Sequence, residues 1–236
     1  MSGQTDRPGT QIPFSFSKFE LLDFDLFVAG PNHLIKQHLL NVSLGSDRKN
    51  TYLWGKPGCG KSHLLQAVCT SVAKTQKNIA YIPLAERNIL SPNMLEGLQH
   101  LALVCLDDIE QIAGDTEWEL AVFHLYNQLR DAQTPLIISA LHSPLGSPIQ
   151  LPDLKSRLSW DNTFHLLSLD EKSSREALIK RAQFRGFDLP EEVADYLLKR
   201  VARDTHNLFE LLNKLDNASL VAKKKLTIPF VKTLLN

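Results

Sequence analysis

The sequence predicts an α/β domain on a mostly parallel five-stranded sheet, followed by a small all-helical unit. Three observations carry that expectation. Strand-like apolar runs alternate with helical patterns between residues 52 and 167, the order that produces parallel strands joined by helical crossovers. Residues 101–106 are apolar throughout and lead into Asp107-Asp108, as in a central strand covered on both faces whose C-terminal end meets a crevice. Beyond Ser168 the periodicity is helical only. The expected units are a tail over 1–20, the α/β domain over 21–167 and a helical lid over 168–236.

Residues 1–10 are polar, contain Gly and Pro, and read as a disordered tail. Residues 24–32 are rich in turn formers and enter a helix with Leu34, Ile35, His38, Leu39 and Val42 at apolar spacing. Phe27 and Val28 stand where a base pocket or a hinge would need apolar walls. A polar loop over 45–50 leads into the first strand, and further strands are expected at 79–83, 101–106, 136–140 and 164–167. Between them fall a helix over 61–74 and a short helix opened by Ser91 as cap and Pro92 at its first position. After a polar loop over 114–119 comes an amphipathic helix over 118–129, with Leu120, Phe123, Tyr126 and Asn127 near one face. The lid should hold helices over 171–185, 190–203, 206–222 and 226–235. Val193, Tyr196, Leu197 and Val201 share an inner face of the second; Leu208, Leu211, Leu212 and Leu215 do so in the third.

The chemistry is concentrated in residues 52–62, Tyr-Leu-Trp-Gly-Lys-Pro-Gly-Cys-Gly-Lys-Ser. Gly55, Gly60, Lys61 and Ser62 satisfy the G-x-x-x-x-G-K-[ST] spacing between an apolar run and a helical pattern. In such a loop the glycines let successive N–H groups of Gly55, Lys56, Pro57, Gly58, Cys59 and Gly60 curl around phosphate oxygens, Pro57 contributing shape but no donor. The following helix, from Lys61 and Ser62 through His63, adds the positive end of its dipole. Lys61 would supply the point charge for the β- and γ-phosphates, and the Ser62 hydroxyl would hold Mg²⁺. Asp107 at the end of the central strand would hold the same Mg²⁺ directly or through water, and Asp108 would orient the attacking water. ADP or ATP with Mg²⁺ is therefore the expected cofactor.

Lys plus Arg and Asp plus Glu are both 26, so no global positive field draws in nucleic acid. Lys223, Lys224 and Lys225 read as a solvated helix end sooner than as a DNA contact. No apolar run is long enough to span a membrane, and Met1–Thr10 lacks a signal-peptide pattern, so a cytoplasmic location is expected. Cys59, Cys69 and Cys105 form no C-x-x-C pair and read as reduced thiols. Cys59 stands near a helix N-terminus, where a thiol can be acidified, although a small residue filling the loop is the preferred reading.

Phosphate loop, Asp-Asp strand end, Ser-Arg before the last strand and helical lid together resemble the AAA+ ATPases. Their wording is closest to the ATPase core of bacterial DnaA initiators, in Phe24-x-x-Phe27-Val28-x-Gly30-x-Asn32, Asp107-Asp108-Ile109-x-x-Ile112-Ala113-Gly114, Leu154-Lys155-Ser156-Arg157 and Leu226-Thr227-Ile228-Pro229-Phe230-Val231. The tail segment Gln11-Ile12-Pro13-Phe14-Ser15-Phe16 is similar to the peptide by which bacterial proteins dock on the replication sliding clamp, with Gln11, Phe14 and Phe16 at its key positions. An edge strand burying Phe14, Phe16 and Phe19 would use the same residues. The initiator's core is followed by a helix-turn-helix module, whereas this sequence stops at Asn236 after the lid. The combination resembles the DnaA regulatory inactivators, the Hda family.

That resemblance implies a negative regulator of replication initiation, with the DNA polymerase III clamp (its beta subunit) and DnaA as partners and no sequence-specific DNA binding. It places an arginine finger at Arg157, acting on the initiator's ATP, and nucleotide contacts at Phe27, Val28, Asn32 and His206. Two positions depart from the initiator: Leu141 replaces a sensor Asp, leaving Ser139 as the nearby hydroxyl, and His206 replaces a sensor Arg. An imidazole cannot supply a bidentate fixed charge. A site that holds nucleotide, as diphosphate, and turns it over weakly is expected. A stand-alone AAA+ ATPase such as a helicase loader is the competing reading, and the resting state is open between monomer and a dimer or larger oligomer.

Overall fold

A computed structural model describes residues 22–200 and 227–235. The expectations for Gln11, Phe14, Phe16, His206, Val201, the helix over 206–222 and the three-lysine run concern residues outside that set. Within it, five strands form one parallel sheet: β1 (Thr51–Trp54), β2 (Ile79–Pro83), β3 (Leu103–Asp107), β4 (Leu136–Ala140) and β5 (Asn162–His165). Their order is β2-β3-β4-β1-β5.

The strands alternate sides, and both sides are covered. Tyr52, Val104, Leu106, Ile138 and Ala140 pack with Val122, Leu125 and Leu129 of α3 (Thr116–Asp131). Leu53, Leu103, Cys105 and Ile137 pack on the other side, with Leu39 of α1 (His33–Ser43) and Leu64, Leu65 and Val68 of α2 (Lys61–Ala73). All five residues of both β3 and β4 are buried. That double cover is why these strands read as unbroken apolar runs.

Several expectations shift in detail. The short element after Ser91 is a 3₁₀ turn, Pro92–Leu95, and Ser91 makes no side-chain cap bond. The last strand spans Asn162–His165 rather than 164–167: Leu166 still donates its N–H to the Trp54 carbonyl, but Leu167 leaves the ladder for the side chain of Asn32. Helix α3 begins at Thr116, where the Asp115 carboxylate caps it by accepting from the Trp118 N–H. Its buried stripe is Trp118, Val122, Leu125, Tyr126 and Leu129, whereas Leu120 is 41 % exposed. Leu34 is likewise on the outside of α1, whose inner face is Ile35, Leu39 and Val42.

A short helix α4 (Pro152–Arg157) precedes β5, and the lid follows with α5 (Glu171–Phe184), α6 (Glu191–Arg200) and α7 (Ile228–Leu235). Asp170 caps α5 by accepting from the Ser173 N–H. Leu178, Ala182, Leu189, Val193, Ala194, Leu197 and Val231 form the lid's own core. Among the described residues no helix is long and apolar enough to cross a membrane.

Candidate functional site

The phosphate loop joins the C-terminal end of β1 to α2, and two of its glycines are dictated by contact. A side chain at Gly55 would place its Cβ 2.4 Å from the Leu166 carbonyl oxygen. Gly60 has φ +103, and a Cβ there would come within 2.9 Å of the Phe27 ring. The buried Lys61 ammonium donates to the carbonyls of Gly55 at 2.9 Å and Lys56 at 3.2 Å, so it closes the same loop it would use on phosphates. Cys59 is buried in the loop, and burial pushes its thiol up despite the nearby Lys61. The acidified-thiol possibility is thereby corrected, because loss of solvation outweighs the neighbouring positive charge.

The residues ahead of the loop form its floor. Phe27 is buried, its ring beneath Gly60 and edge-on to His63 at 5.4 Å between centroids. The His63 Nε2 lies 3.1 Å from the Asp23 carbonyl oxygen. Burial pushes His63 down to about 4, with Arg181 and Lys36 adding to the shift, so the ring is neutral near pH 7. Val28 is half-buried. Asn32 is buried and spends both ends of its amide on Leu167: Nδ2 donates to the carbonyl at 2.9 Å, and Oδ1 accepts from the N–H at 2.9 Å. Its side chain thus clamps the start of the hinge to the exit of β5, which leaves it no free polar atom pair for a nucleotide.

Asp107 and Asp108 sit at the end of β3, at the same edge of the sheet as the loop. Asp107 is buried and accepts from two neighbouring strands: the Tyr81 hydroxyl of β2 reaches Oδ2 at 2.5 Å, and the Ser139 hydroxyl of β4 bonds Oδ1. The strand register explains both contacts. Tyr81 pairs with Cys105, so it shares a face with Asp107 two residues on, and Ser139 stands one step beyond the Leu106–Ile138 pair. Gln66 of α2 donates to the Tyr81 oxygen at 3.3 Å, tying the acid to the helix that carries the phosphate loop. Burial and the Asp107 charge hold the Tyr81 phenol far above its ordinary range, so it is a permanent donor here.

Ser139, expected as a hydroxyl near the sensor position, also accepts from the Asp108 N–H at 2.8 Å and so couples the two acids. The Leu141 N–H donates to Glu110 Oε2 at 3.2 Å. Asp108 adopts φ +59 and is pushed up to about 6 by burial first and by the charges of Asp107 and Glu110 second, with Lys61 pulling the other way.

A raised carboxyl pKa means that the folded state holds this proton more tightly than the unfolded chain, so ionising Asp108 opposes folding. That penalty is absent below about pH 4, grows to about pH 6 and is complete above it. Asp108→Asn is therefore expected to raise the melting temperature at pH 7.5, with the gain over wild type shrinking as pH falls through 6. Thermal unfolding across pH 4–8 measures it; a variant no more stable than wild type at pH 7.5 would contradict the electrostatics.

Two elements missed in the sequence hold α4 and Arg157. Glu119, assigned there to a polar loop, is 2 % exposed in α3. Its carboxylate accepts from the N–H groups of Gly114 at 2.8 Å, Gln150 at 3.0 and 3.1 Å and Leu151 at 2.6 Å. Leu151 is the N-cap of α4 and lacks a cap from its own side chain, so Glu119 serves instead. At the other end of α4, the Arg157 guanidinium lies 3.8 Å from the centre of the Trp160 ring. Arg157 shares a small crevice with Asn50, Thr51 and Asn162, the residues that open β1 and β5. It is therefore at the opposite edge of the sheet from the phosphate loop.

The geometry fits a nucleoside polyphosphate: a curled loop with room for no side chain at Gly55, a lysine aimed into it, and two acids at the adjoining strand end. Ser62 at the start of α2 and Asp107 are the residues that would hold Mg²⁺. Residues 20–165 match the bacterial DnaA ATPase domain, and residues 170–235 match the Hda lid domain. Domain III of the Thermotoga maritima replication initiation protein DnaA is similar, with a TM-score of 0.78 and 23 % identity over 91 % of this chain and 95 % of that one. AMPPCP-bound DnaA from Aquifex aeolicus gives 0.67 and 21 %, over 86 % and 68 %. The Thermotoga maritima RuvB Holliday junction branch migration motor gives 0.64 and 16 %, over 86 % and 68 %. With that sheet order, that phosphate loop and both halves matched, the chain belongs to the DnaA-related AAA+ family and has an Hda-type lid.

Proposed function

We propose that this chain is a negative regulator of replication initiation. Bound to nucleotide and docked on the sliding clamp through Gln11, Phe14 and Phe16, it makes ATP-bound DnaA hydrolyse its ATP and so inactivates it. The observation that supports this reading is the place of Arg157. All strands run parallel, β1 leads into the phosphate loop, and Arg157 lies beside the first residues of β1 and β5. Four strand residues at about 3.3 Å each separate those edges, so the guanidinium cannot serve this chain's own phosphates. That position supports a role towards a nucleotide bound by a neighbour, where a positive charge would offset the charge that develops on the γ-phosphoryl oxygens.

The chain's own site then has a holding role. Lys61 and the loop amides grip the phosphates, Ser62 and Asp107 hold Mg²⁺, and Phe27 and Val28 lie towards the base. ADP bound there ties the lid to the α/β domain and fixes the face that carries Arg157. The test is phosphate release from ATP-loaded DnaA mixed with DNA-loaded clamp. Arg157→Ala is expected to lower the stimulation by about 10³-fold, the lower end of what such fingers supply. Full stimulation by that variant would overturn the reading.

A second reading has its own observation. Asp108, pushed up to about 6, stands beside a complete phosphate loop, as a base does in an ATPase working alone. Brisk steady-state hydrolysis by the purified chain, lost in Asp108→Asn, would favour a stand-alone ATPase such as a helicase loader.

A further inference from the structure

Resting on the trans reading of Arg157 and deepening it, we infer that Trp160 is the platform that presents this arginine, and that Arg130 on the same ring makes a second contact to a partner carrying a nucleoside triphosphate. Arg157 ends α4 and Arg130 is in the last turn of α3, yet both guanidinium groups lie over one indole, at 3.8 and 4.8 Å from its centre. The ring is 49 % exposed. Trp and Arg are the residues most enriched where a surface is covered by a partner.

The platform is built rather than incidental. The Trp160 N–H donates to the Arg157 carbonyl at 3.1 Å, which closes the turn that stacks one side chain on the other. Leu158 is buried between them in sequence, and Asp161 accepts from the buried Tyr126 hydroxyl of α3 at 3.2 Å. The turn is thus fixed on both sides of Trp160. Neither Arg130 nor Arg157 has a carboxylate within ion-pair distance among the described residues. Two cations held by π-contact alone keep their hydrogen-bonding edges for an outside anion, because a ring face engages the guanidinium plane and none of its N–H donors. Arg157 is the group at the reacting phosphate. Trp160 acts through it as a positioning residue, and Arg130 adds charge at the rim of the contact.

The experiment titrates each variant into ATP-loaded DnaA with DNA-loaded clamp and separates the maximal hydrolysis rate from the half-saturating concentration. Trp160→Ala is expected to lower the maximal rate by about ten-fold, since a misplaced group of this kind can cost up to ~10²-fold. Trp160→Phe, which keeps an aromatic face, should recover most of it. Arg130→Ala should leave the maximal rate unchanged and raise the half-saturating concentration by up to about five-fold, the effect of a rim charge. ADP affinity and thermal unfolding should match wild type in all three, which a general structural defect would not allow. Wild-type rates in Trp160→Ala, or no recovery in Trp160→Phe, overturn the platform, and an unchanged half-saturating concentration in Arg130→Ala overturns the second contact. Arg157→Ala run alongside separates the levels: if it is inactive while Trp160→Ala is fully active, only this inference fails, and if it too is fully active, the trans reading fails.

Discussion

Glu119→Ala is expected to destabilise the protein by about 1.5–3 kcal/mol, the worth of hydrogen bonds to a charged group. The carboxylate is buried and is the acceptor for three backbone N–H groups, those of Gly114, Gln150 and Leu151. Alanine would remove the one acceptor these three N–H groups share, at residues that are exposed (Gly114, Gln150) or half-buried (Leu151). A six-residue helix such as α4 cannot hold itself together, so the loss is not confined to stability. With its N-terminus released, α4 no longer fixes Arg157, and stimulation of a partner should fall even in molecules that remain folded. Glu119→Gln keeps one acceptor oxygen and should fall between. Urea unfolding measures both, and a loss below about 1 kcal/mol for the alanine variant would show that the loop over 143–151 finds other partners.

The second large effect is on nucleotide affinity. Lys61→Ala removes a charged donor from the centre of the phosphate loop and should weaken ADP binding by about ten- to hundred-fold, as a charge-assisted hydrogen bond of about 1.5–3 kcal/mol implies. Because the same ammonium bonds the Gly55 and Lys56 carbonyls, the variant also loosens the loop. Arginine should not rescue it, since the site is built around a compact ammonium rather than a planar fork. Calorimetric titration with ADP gives the number, and unchanged affinity would remove the loop from the binding site.

The phosphate loop was legible in the sequence because its chemistry demands residue types at fixed spacing, and strand β4 was legible to the residue because burial of all five positions leaves an apolar run broken only by Ser139. The inner face of α3 was legible only in part. Tyr126 is buried as expected and Phe123 packs half-buried on the core, but Leu120, equally apolar, turns to solvent. Glu119 was hidden for a related reason: a carboxylate in a polar stretch reads as solvated, and its three acceptor bonds come from backbone 31–32 residues away as well as from Gly114. The Tyr81–Asp107–Ser139 set required the register of three strands, which no local pattern encodes. Trp160 could have been flagged as a large aromatic beside a charged helix end, but its two arginines come together only once α3 and α4 are packed.

The central claim is that the reaction takes place on the partner's nucleotide while this chain's own nucleotide stays in place. It is tested most directly by loading γ-labelled ATP onto one protein at a time, DnaA in one mixture and this chain in the other, and following single-turnover release with DNA-loaded clamp present. The account predicts rapid release only when the label starts on DnaA. Rapid release from this chain, with no acceleration of the label held by DnaA, would contradict it.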